Sequence, residues 1–293
     1  MDFSGKHVVV TGGTGALGTA VVGGLLAAGA TCTVPYVHEA EAQRFPHRGD
    51  AKVKLIAVAD LADEALVAKA YDGLKLWASI HIAGGFAPGK VAETGQTALM
   101  AQINGNLVSC FLCCRAAVNA MAAGGRIVNV AARPALEWRN GAGMAAYTVA
   151  KAGVAALTVA LAEEVAKNGI LVNAVAPSIM DTAANRKAMP KANFDAWPKV
   201  EEVAATILFR LARQPRYARG DRAGVREILK LSPQPGPIRA AGATSVAPRW
   251  RRLRCGFPHR PRGSSRCRRG RIGNSPSARA PARSPCPRCR PAN

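Results

Sequence analysis

Two short stretches hold residue types at spacings that could do chemistry. Tyr147-Thr-Val-Ala-Lys151 sets a phenol and an ammonium four residues apart, which puts them on one face of a helix. A phenol with a pKa near ~10 is a poor proton donor or acceptor at pH 7. A neighbouring ammonium favours the phenolate and lowers that pKa, the tuning that proton transfer beside a hydride carrier requires. The second stretch, Thr11-Gly-Gly-Thr-Gly-Ala-Leu-Gly18, joins a strand-like run to a helix-like one. Gly12 suits a tight turn, Gly15 lets backbone approach a pyrophosphate, and Gly18 permits close helix–strand contact. The free N–H groups of the helix start then face the phosphates.

These motifs need a scaffold that carries both to one place. Apolar runs predict strands at 6–11, 30–34, 53–58, 78–83, 126–131 and 171–175. Helical patterns fall at 17–28, 63–74, 98–122, 144–167 and 199–213. Strands alternating with helices predict an α/β fold with a parallel, doubly wound sheet. The end of the second strand should then read the adenosine ribose, with an acid suiting NAD and an arginine suiting NADP. The chain offers Pro35-Tyr36-Val37-His38, which is neither. His38 is either a phosphate contact or an exposed loop histidine. Asp60 is a candidate partner for the adenine amine, a helix cap, or both. After 199–213 no apolar alternation returns apart from Ile228-Leu229, so the sheet is expected to lack a last strand.

Charge and composition divide the chain at the same place. Residues 1–212 carry 19 Lys+Arg and 16 Asp+Glu, whereas 213–293 carry 21 and 2, so most of the +22 net charge lies in the tail. Twelve of the 19 prolines lie there too. With so few large apolar side chains to offset ordering entropy, 216–293 reads as a disordered basic tail and 1–215 as the folded domain. The tail's Arg, Pro, Ala, Gly, Ser and Cys content is also what an out-of-frame read of a GC-rich gene would give. Cys32, Cys110, Cys113 and Cys114 sit in apolar patterns and read as buried free thiols. Cys286-Pro-Arg-Cys289 has no second pair or histidine in metal-binding spacing, and no metal is expected. No long uninterrupted apolar run or signal layout is present, so no membrane span is expected, and the cytosol is the expected compartment.

The glycine turn, Ile82-Ala-Gly-Gly85, Asn106-Leu107, Tyr147-x-x-x-Lys151 and Asn173-Ala-Val-Ala-Pro177, in this order, resemble the short-chain dehydrogenase/reductase superfamily over about residues 5–212. The resemblance implies a Rossmann topology, NADH or NADPH as cofactor, a small-molecule substrate and a homodimer or homotetramer. It implies Tyr147 as proton donor, Lys151 as the nicotinamide-ribose contact that also lowers the Tyr147 pKa, and Asn106 as holder of a relay water. It places the cofactor against Gly12, Gly15, Ala16, Leu17, Gly18, Tyr36, Asp60, Ala83, Gly84, Lys151, Pro177 and Thr182.

Two departures narrow that resemblance. Ala16 stands where the commoner glycine spacing has its middle glycine, and Val130-Ala-Ala-Arg-Pro-Ala-Leu136 lacks the usual catalytic serine. Both departures occur in the dihydropteridine reductases. The chain is similar to that group also at Gly84-Gly85-Phe86-Ala-Pro-Gly89, at Gly143-Met144, and at 181–197, from Asp181-Thr182 through Asn185-Arg186-Lys187 to Trp197. The implied reaction is hydride and proton transfer to a planar C=N or C=O acceptor such as a quinonoid dihydropterin. The alternatives are a carbonyl reductase of other substrate, or an impaired relative whose basic tail binds nucleic acid.

Overall fold

Val8-Val9-Val10 shows how the core is divided. Alternate residues of a strand point to opposite sheet faces, so Val8 and Val10 join one apolar layer and Val9 the other. A strand buried on both faces has no polar side and reads as a continuous apolar run. In the computed structural model, which describes residues 1–212 and 223–228, this first strand, β1 (His7–Thr11), lies inside a seven-stranded sheet, third from one edge.

The other strands are β2 (Thr31–Tyr36), β3 (Val53–Ala57), β4 (Leu76–His81), β5 (Met121–Val130), β6 (Leu171–Pro177) and β7 (Ala223–Ile228). All pair in parallel, in the order β3-β2-β1-β4-β5-β6-β7. On one face, α1 (Ala16–Ala27) and α8 (Val200–Ala212) bury Leu17, Val21, Leu25, Ile207 and Leu211 against Val8, Val10 and Ile80. On the other, α3 (Glu64–Tyr71), α5 (Ser109–Ala120) and α6 (Ala145–Glu164) bury Val67, Cys113, Cys114 and Val154 against Val9, Ile127 and Val172. The doubly wound α/β architecture is therefore as the alternating pattern implied. The order reverses between β1 and β4, and in such sheets the crevice at the strands' C-terminal ends is where ligands bind.

The last strand corrects two expectations. β7 pairs with β6 from Val172 opposite Ala223 to Pro177 opposite Ile228, so the sheet does not lack its final strand. It also lies past residue 215, within the stretch assigned to the tail. Ala-Gly-Val-Arg-Glu-Ile offers no apolar alternation, which is why the sequence pattern concealed it. Ladder hydrogen bonds need only backbone donors and acceptors, and β6 presents a free row of them. The prolines that argue against a strand, Pro233, Pro235 and Pro237, all lie beyond it. The remainder of 216–293, with Cys286 and Cys289 and the nucleic-acid and out-of-frame readings, lies outside the described residues.

Three further differences concern helices. The single helix expected at 98–122 is α4 (Gln96–Ile103), a π-helical turn at Asn104–Val108, and α5. It stops at Ala120, because Met121 takes extended dihedrals and starts β5. Two short helices, α2 (Glu39–Arg44) and α7 (Ala183–Ala188), were not foreseen; six residues give too few turns for a periodicity to register. Gln96–Ala120 and Ala145–Glu164 are long and apolar enough by composition to cross a membrane, yet each lays core residues such as Cys113 and Val154 on the sheet.

Candidate active site

Two adjoining cavities open at the β1–β4 reversal. One is a cleft of ≈ 450 Å³ lined by the glycine turn, by Tyr36 to His38 after β2, by Asp60, and by Ile82 to Gly85 after β4. The other, ≈ 200 Å³, is lined by Phe86, Asn106, Ala131, Ala132, Tyr147 and Lys151 among others. They share Leu17, Ile82, Gly84 and Gly85. A long ligand could therefore run from the glycine turn to Tyr147.

The glycines differ in why they are glycines. Gly12 has φ +67°, and a Cβ there would sit 2.7 Å from the Ala83 nitrogen, so the β1 turn and the β4 end approach too closely for any side chain. A Cβ on Gly18 would collide with the Gly12 carbonyl oxygen and lie 2.5 Å from Gly13 Cα. Gly15 is unlike both. It is the N-cap of α1 with φ −77°, and its nearest obstruction is the Gly12 oxygen at an ordinary 3.5 Å. The fold does not require glycine at 15; an incoming phosphate at a helix start would. Ala16 and Leu17 complete the turn on the cleft wall.

Tyr147 and Lys151 sit on the first two turns of α6, with the Lys151 Nζ 6.0 Å from the Tyr147 ring centre. The ammonium donates to the Val130 carbonyl at 2.8 Å, which anchors it beneath the smaller cavity. Burial holds the Lys151 pKa down at about 8. Burial also pushes Tyr147 up to about 12, opposite to the direction expected from the neighbouring lysine. The reason is local: desolvation penalises a phenolate, and Lys151 directs its ammonium to the Val130 carbonyl rather than to the phenol oxygen. The phenol is therefore protonated, the state a proton donor needs.

Asn106 lies in the π-turn, a distortion frequent at functional sites, and is buried. Its Nδ2 donates to the carbonyls of Gly85 at 2.9 Å and Gln102 at 3.0 Å. Its Oδ1 is buried without a partner, and a Cβ on Gly84 would collide with that oxygen and stand 3.4 Å from Lys151 Nζ. An unpaired buried acceptor beside an ammonium is a place for a bound water or ligand hydroxyl. Phe86 meets Tyr147 edge-on, ring centres 5.1 Å apart at 90°, and remains 56% exposed. Ala131 and Ala132 line the cavity where a serine is usual, while Ser178, not singled out in the sequence, lines it from after Pro177.

The predicted cofactor residues divide. Ala83, Gly84, Tyr36 and Asp60 line the larger cleft, and Pro177 the smaller. Asp60 does not cap α3: its Oδ1 accepts from the Ala62 N–H at 2.8 Å, and Asp63 caps the helix by accepting from Leu66. Thr182 lines neither cavity; its hydroxyl accepts from the Asn185 N–H at 3.2 Å and caps α7. His38 lines the cleft just before α2. Glu41, passed over in the sequence, lines the cleft and accepts from Thr14 Oγ1 at 3.1 Å. A polar residue on so short a helix as α2 gives no periodic signal by which to find it.

Beneath the site runs a buried hydrogen-bond chain. Val154 O can only accept, so Thr158 donates to it and accepts from Asn129 Nδ2. Asn129 Oδ1 then accepts from His81 Nδ1 at 2.8 Å, leaving His81 Nε2 to accept from Ser79, which accepts from Tyr71. His81, Cys110 and Cys114 offer ligand atoms within 4.8 Å of one another. With its Nδ1 proton committed to Asn129, His81 joins β4 to β5, and Asn129 carries the chain on to α6, rather than His81 offering a lone pair on that side to a metal. The four described cysteines are free and buried.

The family model for short chain dehydrogenases matches residues 6–193. Among curated proteins, the chain is 32% identical over 237 residues to galactitol 2-dehydrogenase of Rhizobium johnstonii, covering 71% of this chain and 88% of that one. It is 36% identical over 133 residues to the BbsD subunit of (2S)-[(R)-hydroxy(phenyl)methyl]succinyl-CoA dehydrogenase of Thauera aromatica, spanning only 52% of that protein. Among solved structures, a short chain dehydrogenase of Burkholderia cenocepacia in complex with NADP superposes with TM-score 0.67 at 26% identity, over 78% of this chain and 98% of that one. A glycine-turn cleft leading to a half-buried Tyr147 and a buried Lys151, on a sheet of this order, agrees with all of these matches: the chain is an oxidoreductase and belongs to the short-chain dehydrogenase family.

Proposed function

We propose that the chain is an NADH- or NADPH-dependent reductase of a planar, polarised C=N or C=O acceptor, with quinonoid dihydropterin the candidate substrate. The observation that carries this is the smaller cavity: a protonated phenol, an exposed aromatic ring edge-on to it, and alanines where a hydroxyl would grip a carbonyl oxygen. When bound, the cofactor supplies the hydride. Gly12, Gly15, Ala16, Leu17 and Gly18 would hold its pyrophosphate, Tyr36 and Asp60 its adenosine end, and Ala83, Gly84, Lys151 and Pro177 its other end. The colliding Cβ positions at Gly12 and Gly18, with no close obstruction at Gly15, fit such a group.

Tyr147 gives its Oη proton to the acceptor as negative charge develops there. Lys151, held on Val130, and a water accepted by the free Asn106 Oδ1 return that proton. Phe86 presents a face on which a flat ring can stack. A conjugated acceptor that is already polarised needs less stabilisation of developing charge, which accounts for Ala131 and Ala132. A second reading, a carbonyl reductase of other substrate, is favoured by the name of the galactitol dehydrogenase relative.

The two are separated by following cofactor oxidation with quinonoid dihydropterin against a panel of sugars, ketones and aldehydes. Turnover of the dihydropterin at a kcat/KM at least about tenfold above the best carbonyl, in the ordinary enzyme range, is the expected result. A carbonyl turned over better would overturn the dihydropterin assignment.

A further inference from the structure

Resting on the nicotinamide-dependent reading above, we propose that Glu41, with Glu39 beside it, selects NADH against NADPH. The two cofactors differ by one phosphate on the adenosine 2′-oxygen, and the end of the second strand is where doubly wound folds read that difference. In this chain the strand ends in Tyr36, whose hydroxyl donates to Glu39 Oε2 at 2.9 Å. The acids are therefore brought in from the first turn of α2 instead. Glu41 is half-buried on the cleft wall. By accepting from Thr14 Oγ1 it ties α2 to the glycine turn across the rim of the cleft.

The surrounding charges agree in sign. Asp60 lines the same cleft, and no lysine or arginine is among the described residues that line it. Arg44, on the last turn of α2, borders a neighbouring hollow with Glu41 and directs its Nε to the Ala40 carbonyl at 3.0 Å. His38 is the one imidazole on the cleft wall among the described residues. A phosphate monoester, carrying about −1.5 to −2 charge at pH 7, would enter against carboxylates, with no guanidinium among the described residues that line the cleft. A ribose hydroxyl in its place would find acceptors. The preference is opposite to the cofactor held by the Burkholderia cenocepacia relative.

The test is a fluorescence titration of the full chain with NADH and with NADPH, at low and high salt, repeated on Glu41→Gln and on the Glu39→Gln/Glu41→Gln pair. Glutamine keeps an oxygen for Thr14 and removes only the charge. NADH should bind about tenfold tighter or more in the wild type, a gap of about 1.4 kcal/mol, and the gap should narrow as salt screens the carboxylates. Glu41→Gln should tighten NADPH by about threefold to tenfold and move NADH by less than about threefold, the scale of one partly screened charge. Equal binding, or tighter NADPH, in the wild type would overturn this inference and leave the reductase reading standing. A gap unmoved by salt and by both variants would overturn the assignment to these carboxylates. Failure of both nucleotides to bind would instead overturn the reading on which it rests.

Discussion

At the scale of single residues, burial rather than pairing sets the chemistry. Tyr147 holds its proton to about pH 12 while Lys151 gives up its own near pH 8, so across the neutral range the titrating member of the pair is the lysine. The rate constant kcat/KM reports ionisations of the free enzyme. It should therefore fall above about pH 8 as the Lys151 ammonium is lost, and Lys151→Arg, always charged, should remove that limb while lowering the rate. A profile flat to pH 9.5 in the wild type would count against the assignment. The same shift acts on stability. Because the folded pKa lies below the unfolded value of 10.5, the native state binds fewer protons between about pH 8 and 10.5. The cost of burying the ammonium is thus present below pH 8 and is relieved as pH rises through that window. Spacing alone disclosed the Tyr–Lys pair, because four residues always share a helical face. It could not disclose the direction of the Tyr147 shift, which depends on where Val130 holds the ammonium. Nor could it disclose Glu41, carried to the cleft by the short helix α2, or Ser178, which lies in the loop after β6.

At the scale of elements, the glycine turn separates what the fold needs from what the ligand needs. Gly18→Ala places a methyl group against backbone atoms of Gly12 and Gly13 that cannot yield, and it should cost about 1–3 kcal/mol of stability, the range of overpacking. Gly15→Ala meets only an ordinary contact with the Gly12 carbonyl oxygen at 3.5 Å and should change stability by less than about 1 kcal/mol, a helix-cap effect. It should nevertheless weaken nucleotide binding by about tenfold or more, since it fills the approach to a phosphate. Thermal melts and cofactor titrations of the two variants check this; equal losses of stability would contradict it. Strands such as Val8-Val9-Val10 were legible because burial on both faces writes an unbroken apolar run. The edge strand Ala223–Ile228 was not, because its pairing with β6 is a backbone matter. The short helices α2 and α7 left no periodicity, and the π-turn that buries Asn106 looks in sequence like uninterrupted helix.

At the scale of the whole molecule, the faces of α5 and α6 turned from the sheet keep Phe111, Val149 and Val159 about half exposed, at 51%, 57% and 50%. Apolar groups gathered on neighbouring helices favour association between copies, in keeping with the homodimer or homotetramer proposed from the family. Light scattering at micromolar concentration should show a dimer or tetramer, and Phe111→Glu together with Val159→Glu should shift it toward monomer. A strict monomer in the wild type would contradict this. The central claim is that the molecule brings a nucleotide cleft to a protonated Tyr147 and that this phenol supplies the proton. Its most direct test is Tyr147→Phe, which removes one oxygen and leaves the ring that Phe86 meets. Cofactor affinity, measured by titration, should stay within about twofold, while turnover of the quinonoid dihydropterin falls by at least about 100-fold, the lower end of general acid catalysis. A variant that keeps more than about a tenth of the wild-type rate, or that loses its cofactor along with its activity, would contradict the account.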